Sequence, residues 1–169
     1  TPNSPLPISG GDESKVIELN NGTLLMDIRR APNRLFSHSY DQGITWTKPF
    51  PANGFVDPAC NGDIIRYTSV KDGYNKNRIL HSHLHASSRM NLTIYVSYDE
   101  GNTWPIQKVL YSANCVYSST TFSPIDGMIY VYWEKGAAPD ELVVSKFSLE
   151  WLTDGQDTWT PPDPSRVSS

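Results

Sequence analysis

The sequence predicts an all-β protein built from repeated, four-stranded blades of the propeller type. Two observations predict this class: residues 39–46 recur at residues 97–104 as S-Y-D-x-G-x-T-W, and the remainder reads as short strands separated by turn residues. The two copies begin 58 positions apart, a period suited to one blade per repeat. No convincing amphipathic helix of any length is present.

Each copy of the repeat has a physical interpretation as a turn, and residues 39–46 and 97–104 are called the first and second repeat turns below. The Asp carboxylate can accept backbone N–H groups across a tight turn, and the Gly supplies the left-handed conformation that the turn needs. The Trp has enough apolar area to fill the space between neighbouring sheets. The pattern resembles the Asp box of the sialidase and BNR-repeat families, in which the box is structural. We therefore expect these turns to fix the fold and to leave the chemistry to other residues.

The strands around the repeat turns fall into three similar units. In the first unit, the sequence Asn20-Asn21-Gly22 between two apolar runs is a strong hairpin signal. In the second unit, the β-branched, alternating run 90–98 leads directly into the second repeat turn. We predict blades at about residues 11–50, 54–106 and 107–153, within one domain of residues 1–153.

The last residues, 154–169, allow two interpretations. Asp154, Thr158 and Trp159 keep the offsets of the repeat, but Gly155 comes one place early. The segment is therefore either a degenerate last repeat turn or a polar C-terminal tail.

Length and composition limit what the chain can form and bind. A chain of 169 residues with 38% hydrophobic content suits one domain, yet a propeller needs four to eight blades to close. We therefore expect a second polypeptide to supply the rest of the ring. A net charge of −4 gives no broad basic field for nucleic acid, and no run of 18 apolar residues could span a membrane.

Cysteine and histidine usage gives no reason to expect a metal or other cofactor. Cys60 and Cys115 lack a CxxC partner and are either buried thiols or one disulfide. His81, His83 and His85 share one face of a predicted strand. Without acidic or Cys neighbours, strand packing or polar contacts on the substrate side are favoured over a metal site.

For the location of the protein, we expect secretion or display at the cell surface.

Three charged residues have positions that the repeat turns do not explain. Glu13 stands just ahead of the first strand, and Arg29 follows it by sixteen positions, after a strand, a turn and a strand. A hairpin that returns to its own starting end brings such residues together. Arg29 and Arg89 precede their repeat turns by ten and eight positions, so both can point toward one axis.

In these residues the sequence resembles the catalytic domain of exo-α-sialidases. The stretch from Glu13 through Arg29 is similar to the family segment with the catalytic Glu and the second Arg of the substrate-binding triad. Ser88-Arg89-Met90 is similar to the segment with the third Arg, and Val116-Tyr117-Ser118 to the nucleophile segment. Residues 147–153 are similar to the family segment at the end of the domain. The resemblance runs over residues 11–153 and implies the C-terminal half of a six-bladed β-propeller.

The resemblance implies a glycoside hydrolase that releases terminal α-linked sialic acid with retention of configuration. Arg29 and Arg89 would hold the substrate carboxylate through paired hydrogen bonds. Tyr117 would be the nucleophile and Glu13 its base, in place of the usual two carboxylates. Each residue also has a structural alternative, and Tyr117 competes with Tyr111 as an ordinary strand tyrosine. A trans-sialidase, an anhydro-forming relative and a non-catalytic glycan-binding propeller are the alternative functions.

The sequence departs from the family pattern at two positions, and part of the pattern is absent. Asp12 and Asp27 stand where the family usually has Asn, and we expect Asp27 either to weaken the anion-binding field or to pair with Arg29. The first triad Arg and the Asp acid/base belong to the N-terminal half of the family domain, and no segment here matches them. We therefore expect catalysis to need the second polypeptide.

Overall fold

The structure, a computed structural model, describes residues 11–138 and 140–167, and it is all-β as predicted. Residues 1–10 of the predicted domain lie outside this range. The strands are β1 (Ser14–Glu18), β2 (Leu24–Ile28), β3 (Asn33–Ser39), β4 (Phe50–Val56), β5 (Asp63–Thr68), β6 (Arg78–Leu84), β7 (Met90–Ser97), β8 (Ile106–Phe122), β9 (Ile129–Lys135) and β10 (Glu141–Phe147). One helix, α1 (Leu149–Leu152), and two 3-10 turns, Val70–Asp72 and Pro164–Arg166, complete the described elements. None of these helical segments has the length and apolar character needed to cross a membrane.

The strands form two antiparallel sheets in which each strand pairs with the next along the chain. The first sheet has the order β1-β2-β3-β4, and the second runs from β5 to β10. The long strand β8 changes partner along its length: residues 106–109, 111 and 114 pair with β7, and residues 115 and 118–122 pair with β9. The connection between the two parts stays extended, so they run on as one strand of 17 residues. The part of the third unit that the structure describes has three strands, where the repeat predicts four.

The two repeat turns have the same hydrogen bonds. In the second turn Asp99 accepts the N–H of Thr103 at 2.8 Å and its hydroxyl at 2.6 Å, and Asp41 accepts the same two groups of Thr45 at 2.8 and 2.6 Å. The Gly of each turn has a φ close to +90°. The predicted roles of the carboxylate and the glycine are therefore confirmed.

The second repeat turn also joins the two sheets. The ring of Trp104 lies 6.3 Å from Phe36 and 5.2 Å from Phe55 of the first sheet, and 5.7 Å from His81 of the second. A Cβ added to Gly101 would stand 3.0 Å from Leu25 of the first sheet, so the turn fits closely. Trp104 thus fills the space between sheets, as the sequence predicts for the Trp of the repeat.

The described C-terminal residues pack on the second sheet. Asp157 accepts hydrogen bonds from the buried Arg78 at 2.7 and 2.9 Å. The N–H of Thr158 goes to its neighbour Asp157 at 3.0 Å, whereas Asp154 pairs with Lys108. The hydrogen bonds of this segment therefore differ from those of the two repeat turns.

His81, His83 and both cysteines are inside the fold. His81 and His83 are buried, with their Nδ1 atoms 3.2 Å apart, and His83 is stacked on Tyr95. Burial lowers the pKa of His83 well below its ordinary value. Cys60 and Cys115 are buried free thiols, which decides between the two alternatives that the sequence left open.

Candidate functional site

The pairing of β1 with β2 brings Glu13 and Arg29 together at one edge of the first sheet. Ser14 is opposite Ile28 in this hairpin, so the residues just outside the pair are neighbours. The N–H of Arg29 donates to the carbonyl of Glu13 at 3.1 Å. The Arg29 Nη1 atom also donates to Glu13 Oε2 at 2.5 Å, as the hairpin spacing predicts.

Tyr117 reaches this pair from the second sheet. Its hydroxyl donates to Glu13 Oε1 at 2.5 Å and accepts a hydrogen bond from Arg29 Nη1 at 3.1 Å. Phenol, carboxylate and guanidinium therefore form a closed triangle in which each group contacts the other two.

An irregularity in β8 aims the Tyr117 side chain. Cys115 is opposite Lys135 and Ser118 is opposite Trp133, so β8 has one residue more than β9 between these two pairs. Such a bulge redirects the side chains at its centre. The N–H of Tyr117 donates to the side chain of Glu134 at 3.2 Å, which replaces a bond of the regular ladder.

The contacts within the triangle shift the pKa values of all three groups. Partial burial raises the pKa of Glu13, but the hydrogen bonds from Tyr117 and Arg29 outweigh it, so the pKa lies below the ordinary carboxyl value. The hydrogen bond to Glu13 raises the pKa of Tyr117. Burial lowers the pKa of Arg29, but bonds to Glu13 and Tyr117 raise it further. Glu13 is therefore ionised and Tyr117 is a neutral phenol at neutral pH.

Arg89 lies near the triangle but does not contact Glu13 or Tyr117 directly. It is exposed on the loop between β6 and β7, and its Nη2 atom donates to the carbonyl of Ala59 at 3.3 Å. Its charge nevertheless helps to lower the pKa of Glu13. Arg29 and Ala59 also line a cleft of about 200 Å³, so Arg29 borders space that a small anionic group could enter.

Asp27 pairs with residues other than Arg29, which corrects one expectation. Its two oxygens accept hydrogen bonds from Nε and Nη2 of Arg34, both at 2.7 Å, and His81 Nε2 lies 3.0 Å from Oδ2. The side chains of Asp27 and Arg34 are fully buried. Asp27 lies within β2 with its side chain in the core, whereas Arg29 follows the end of β2 and its side chain reaches Glu13 and Tyr117.

Several residues that support the site were not found from the sequence. Arg34 also donates to Asp57 at 2.9 Å, and Asn61 forms two hydrogen bonds with the backbone of Ser118, next to Tyr117. Arg34 follows a Pro-Asn turn signal and Asn61 precedes Gly. These local patterns indicate exposed turns and carry no signal of burial or of a distant partner.

The arrangement combines a phenol, a carboxylate and two guanidinium groups. A carboxylate bound to a phenol can take its proton while the phenol oxygen attacks an electrophilic carbon. Guanidinium groups at the same place can bind a substrate anion through paired, charge-assisted bonds. In residues 11–138 and 140–167, no group of three or more His, Cys, Asp or Glu is placed to hold a metal ion.

A curated relative and several solved structures of similar fold are sialidases. No family model matches the chain. A sialidase from Micromonospora viridifaciens is 32% identical over 160 residues, which cover 91% of this chain and 24% of that protein. The chain therefore spans about a quarter of the length of this curated relative.

Solved structures of similar fold include a leech intramolecular trans-sialidase. That structure is 25% identical, with a TM-score of 0.71 over 84% of this chain and 24% of the other. The NanB sialidase from Streptococcus pneumoniae is 22% identical, with a TM-score of 0.74 over 90% of this chain and 26% of the other. The predicted all-β architecture, covering part of a sialidase propeller, is thereby confirmed.

Proposed function

Because the chain belongs to the sialidase family, we propose that it forms part of a glycoside hydrolase that releases terminal α-linked sialic acid from glycoconjugates. The observation that carries this proposal is the triangle of Tyr117, Glu13 and Arg29. Tyr117 comes from the other sheet to meet Glu13 and Arg29 of one hairpin, in a set of contacts that suits nucleophilic attack at an anomeric carbon. Packing of the sheets alone does not require a phenol, a carboxylate and a guanidinium to bind one another.

Tyr117 is the nucleophile in the proposed reaction. Its hydroxyl oxygen forms a bond to the anomeric carbon as the bond to the glycosidic oxygen breaks, and Glu13 takes the phenol proton. The glycosidic oxygen leaves with a proton from an acid outside this chain. Water then attacks the anomeric carbon and gives a proton to the conjugate base of that acid, the bond to Tyr117 breaks, and Glu13 returns its proton to the phenolate. Two inversions give net retention of configuration.

The charge of the substrate explains why a phenol suits this role. Sialic acid has a carboxylate beside its anomeric carbon, and a carboxylate nucleophile would be repelled by it. The neutral Tyr117 avoids this repulsion. Arg29 and Arg89 attract the same anion, and Arg29 lies within hydrogen-bond distance of both Glu13 and Tyr117, so the substrate anion would be bound close to the nucleophile.

We further propose that a second polypeptide segment completes the propeller and supplies the acid and another cation. One face of the third unit supports this part of the proposal. Leu142 and Val144 of β10 are 70% and 65% exposed, and Tyr132 of β9 lies beside them, 37% exposed. Side chains of this kind are usually covered by another sheet, and within the described residues no strand pairs with the outer edge of β10.

The test uses this chain together with the rest of its propeller and sialyllactose as substrate, followed by proton NMR. We expect free sialic acid to appear first as the α-anomer and to mutarotate later, because retention gives that anomer. Initial release of the β-anomer would contradict a Tyr117 intermediate. Absence of release by a folded, complete protein that still binds sialyllactose would instead support the non-catalytic alternative.

The same experiment separates hydrolysis from transfer. The leech protein of similar fold is described as an intramolecular trans-sialidase in complex with 2,7-anhydro-Neu5Ac, which makes an anhydro product the second candidate. Added ¹³C-labelled lactose as acceptor reveals intermolecular transfer through labelled sialyllactose, and the NMR spectrum of the released sugar distinguishes the anhydro product. Each of these outcomes retains Tyr117 as nucleophile and changes only the group that attacks the intermediate.

A further inference from the structure

We propose that residues 57–62, here called the positioning loop, set the placement of Tyr117 and Arg89, and that Asn61 is the positioning residue for the nucleophile. This inference rests on the proposed function. The loop connects β4 of the first sheet to β5 of the second. It contacts the segments that carry Tyr117 and Arg89, and it is tied to the strand that leads to Arg29.

Asn61 binds both backbone polar groups of Ser118, the residue that follows Tyr117. Its Oδ1 atom accepts the N–H of Ser118 at 2.9 Å, and its Nδ2 atom donates to the carbonyl of Ser118 at 3.1 Å. A neighbouring strand would normally make these two bonds, so the Asn61 amide replaces a strand at this place. The thiol of Cys60 also donates to the carbonyl of Val116 at 3.2 Å. Both residues adjacent to Tyr117 are therefore bound by the positioning loop.

The bonds from Asn61 are important for the position of Tyr117 because β8 lacks its regular hydrogen bonds to β9 at the bulge. Between Cys115 and Ser118 the ladder with β9 is interrupted, and a β-strand without its regular partners has more freedom to change direction. The two bonds from Asn61 fix the strand just after the bulge. They thereby fix the direction in which the phenol of Tyr117 leaves the sheet, toward Glu13.

The positioning loop also provides the direct contact that places Arg89. The carbonyl of Ala59 accepts the hydrogen bond from Arg89 Nη2 at 3.3 Å. Ala59 has a φ of +57°, which is unfavourable for a residue with a Cβ atom and persists only where the surroundings impose it. This backbone conformation presents the carbonyl to the guanidinium group.

Buried ion pairs anchor the loop to the first sheet. Asp57 accepts the N–H of Cys60 at 2.9 Å and a hydrogen bond from Arg34 at 2.9 Å. Arg34 also donates to the carbonyl of Cys60 at 3.1 Å and binds Asp27, which lies in β2 shortly before Arg29. A Cβ atom at Gly62 would stand 2.7 Å from Arg34 Cζ, so the loop packs directly on the buried guanidinium. Arg29, Arg89 and Tyr117 are thus connected through one rigid set of contacts.

The experiment replaces Asn61 in the chain assembled with the rest of its propeller. For Asn61→Ala we expect kcat on sialyllactose to fall about 10- to 100-fold, since a displacement of about 1 Å at a reacting group can cost that much. We expect KM to change less than about twofold, because Arg29 and Arg89 keep their own contacts. Asn61→Asp, which retains the acceptor for the Ser118 N–H but loses the donor, should have an intermediate kcat. Asn102→Ala is the matched control, since its side chain donates to a turn carbonyl in the second repeat turn.

A second measurement keeps the inference testable without catalysis. The phenol of Tyr117 is titrated by NMR on protein with ¹³C-labelled tyrosine, its signal being assigned by its loss in Tyr117→Phe. In Asn61→Ala the pKa of Tyr117 should move down toward the ordinary value, because the hydrogen bond to Glu13 that raises it is weakened. Wild-type kcat together with an unchanged titration in folded Asn61→Ala and Asn61→Asp would overturn the inference. A wild-type protein that cleaves no sialoside would refute the proposed function and leave the titration as the test of Asn61.

Discussion

The hydroxyl of Tyr117 and the carboxylate of Glu13 lie 2.5 Å apart although 104 positions separate them in sequence. Glu13 precedes the first strand of one sheet, and Tyr117 stands at a bulge in the other. The contact therefore exists only when the two sheets are packed against each other. Arg29 binds both groups, so the three form a unit, and removal of one should change the other two.

Replacement of Tyr117 by Phe should abolish turnover and preserve the fold. The variant lacks only the hydroxyl, and loss of a nucleophile lowers kcat by at least about 10³-fold in comparable enzymes. Sialoside hydrolysis by the assembled protein measures this effect. Tyr111→Phe is the matched control, because Tyr111 packs against Trp133 with ring centroids 4.6 Å apart and has no proposed part in the reaction. Equal activity of the two variants would exclude Tyr117 as nucleophile.

Replacement of Glu13 by Gln should lower kcat by about 10²- to 10⁴-fold, the usual contribution of a positioned general base. The amide cannot take the phenol proton, whereas its size is nearly that of the carboxyl group. In the same variant the pKa of Tyr117 should fall, since the hydrogen bond to Glu13 is the main cause of its elevation. Glu18→Gln, at the far end of β1, is the control for a negative charge lost nearby on the same hairpin. A Tyr117 titration unchanged in Glu13→Gln would contradict the contact itself.

The residues with local sequence signals were the ones that could be predicted. The repeat turns indicated the architecture because their Asp, Gly and Trp act within a few positions of one another. The hairpin spacing placed Glu13 beside Arg29 for the same reason. Tyr117 differs from the other tyrosines only through an inter-sheet contact and a bulge, which no periodicity reveals, so it was identified by family resemblance.

The interactions that sequence reasoning missed are those of buried charges. Asp27 was expected to act on Arg29, but it binds Arg34 and His81. The orientation of the Asp27 side chain explains the difference. It faces the core, where Arg34 of the next strand and His81 of the other sheet are its partners. A charged residue in a sequence is ordinarily assigned to the surface, so a buried ion pair with remote partners becomes visible only in the fold.

Replacement of Arg34 by Met should destabilise the protein more than any loss of an exposed ion pair. The change would leave Asp27 and Asp57 buried without their cation, which costs about 3–5 kcal/mol in comparable cases. Urea unfolding followed by tryptophan fluorescence measures the loss. Arg66→Met is the control, because Arg66 also binds a carboxylate, Glu100, but at a partly exposed site. Equal losses in the two variants would show that burial of the Arg34 pairs contributes nothing extra.

Acid should weaken the fold through Asp27 in a defined pH range. Burial raises the pKa of Asp27, but His81 and Arg34 outweigh it and hold the pKa at about 2, below the ordinary value of 3.8. A carboxyl group whose pKa is lowered by folding stabilises the folded state above its unfolded pKa, and this contribution is lost as the pH falls toward the folded pKa. We therefore expect Asp27 to contribute about 2 kcal/mol near neutral pH, and this contribution to disappear progressively between about pH 4 and pH 2.

Urea unfolding at pH 6, 4, 3 and 2.5 tests this expectation when wild type is compared with Asp27→Asn. The asparagine variant should be less stable at pH 6 and should lose less of its remaining stability in acid, so the two curves converge as the pH falls. Asp157 also has a lowered pKa, so some acid dependence will remain in the variant. Parallel curves from pH 6 to pH 2.5 would mean that Asp27 has the same pKa in the folded and unfolded chains, and that its pairing with Arg34 does not stabilise the ionised form.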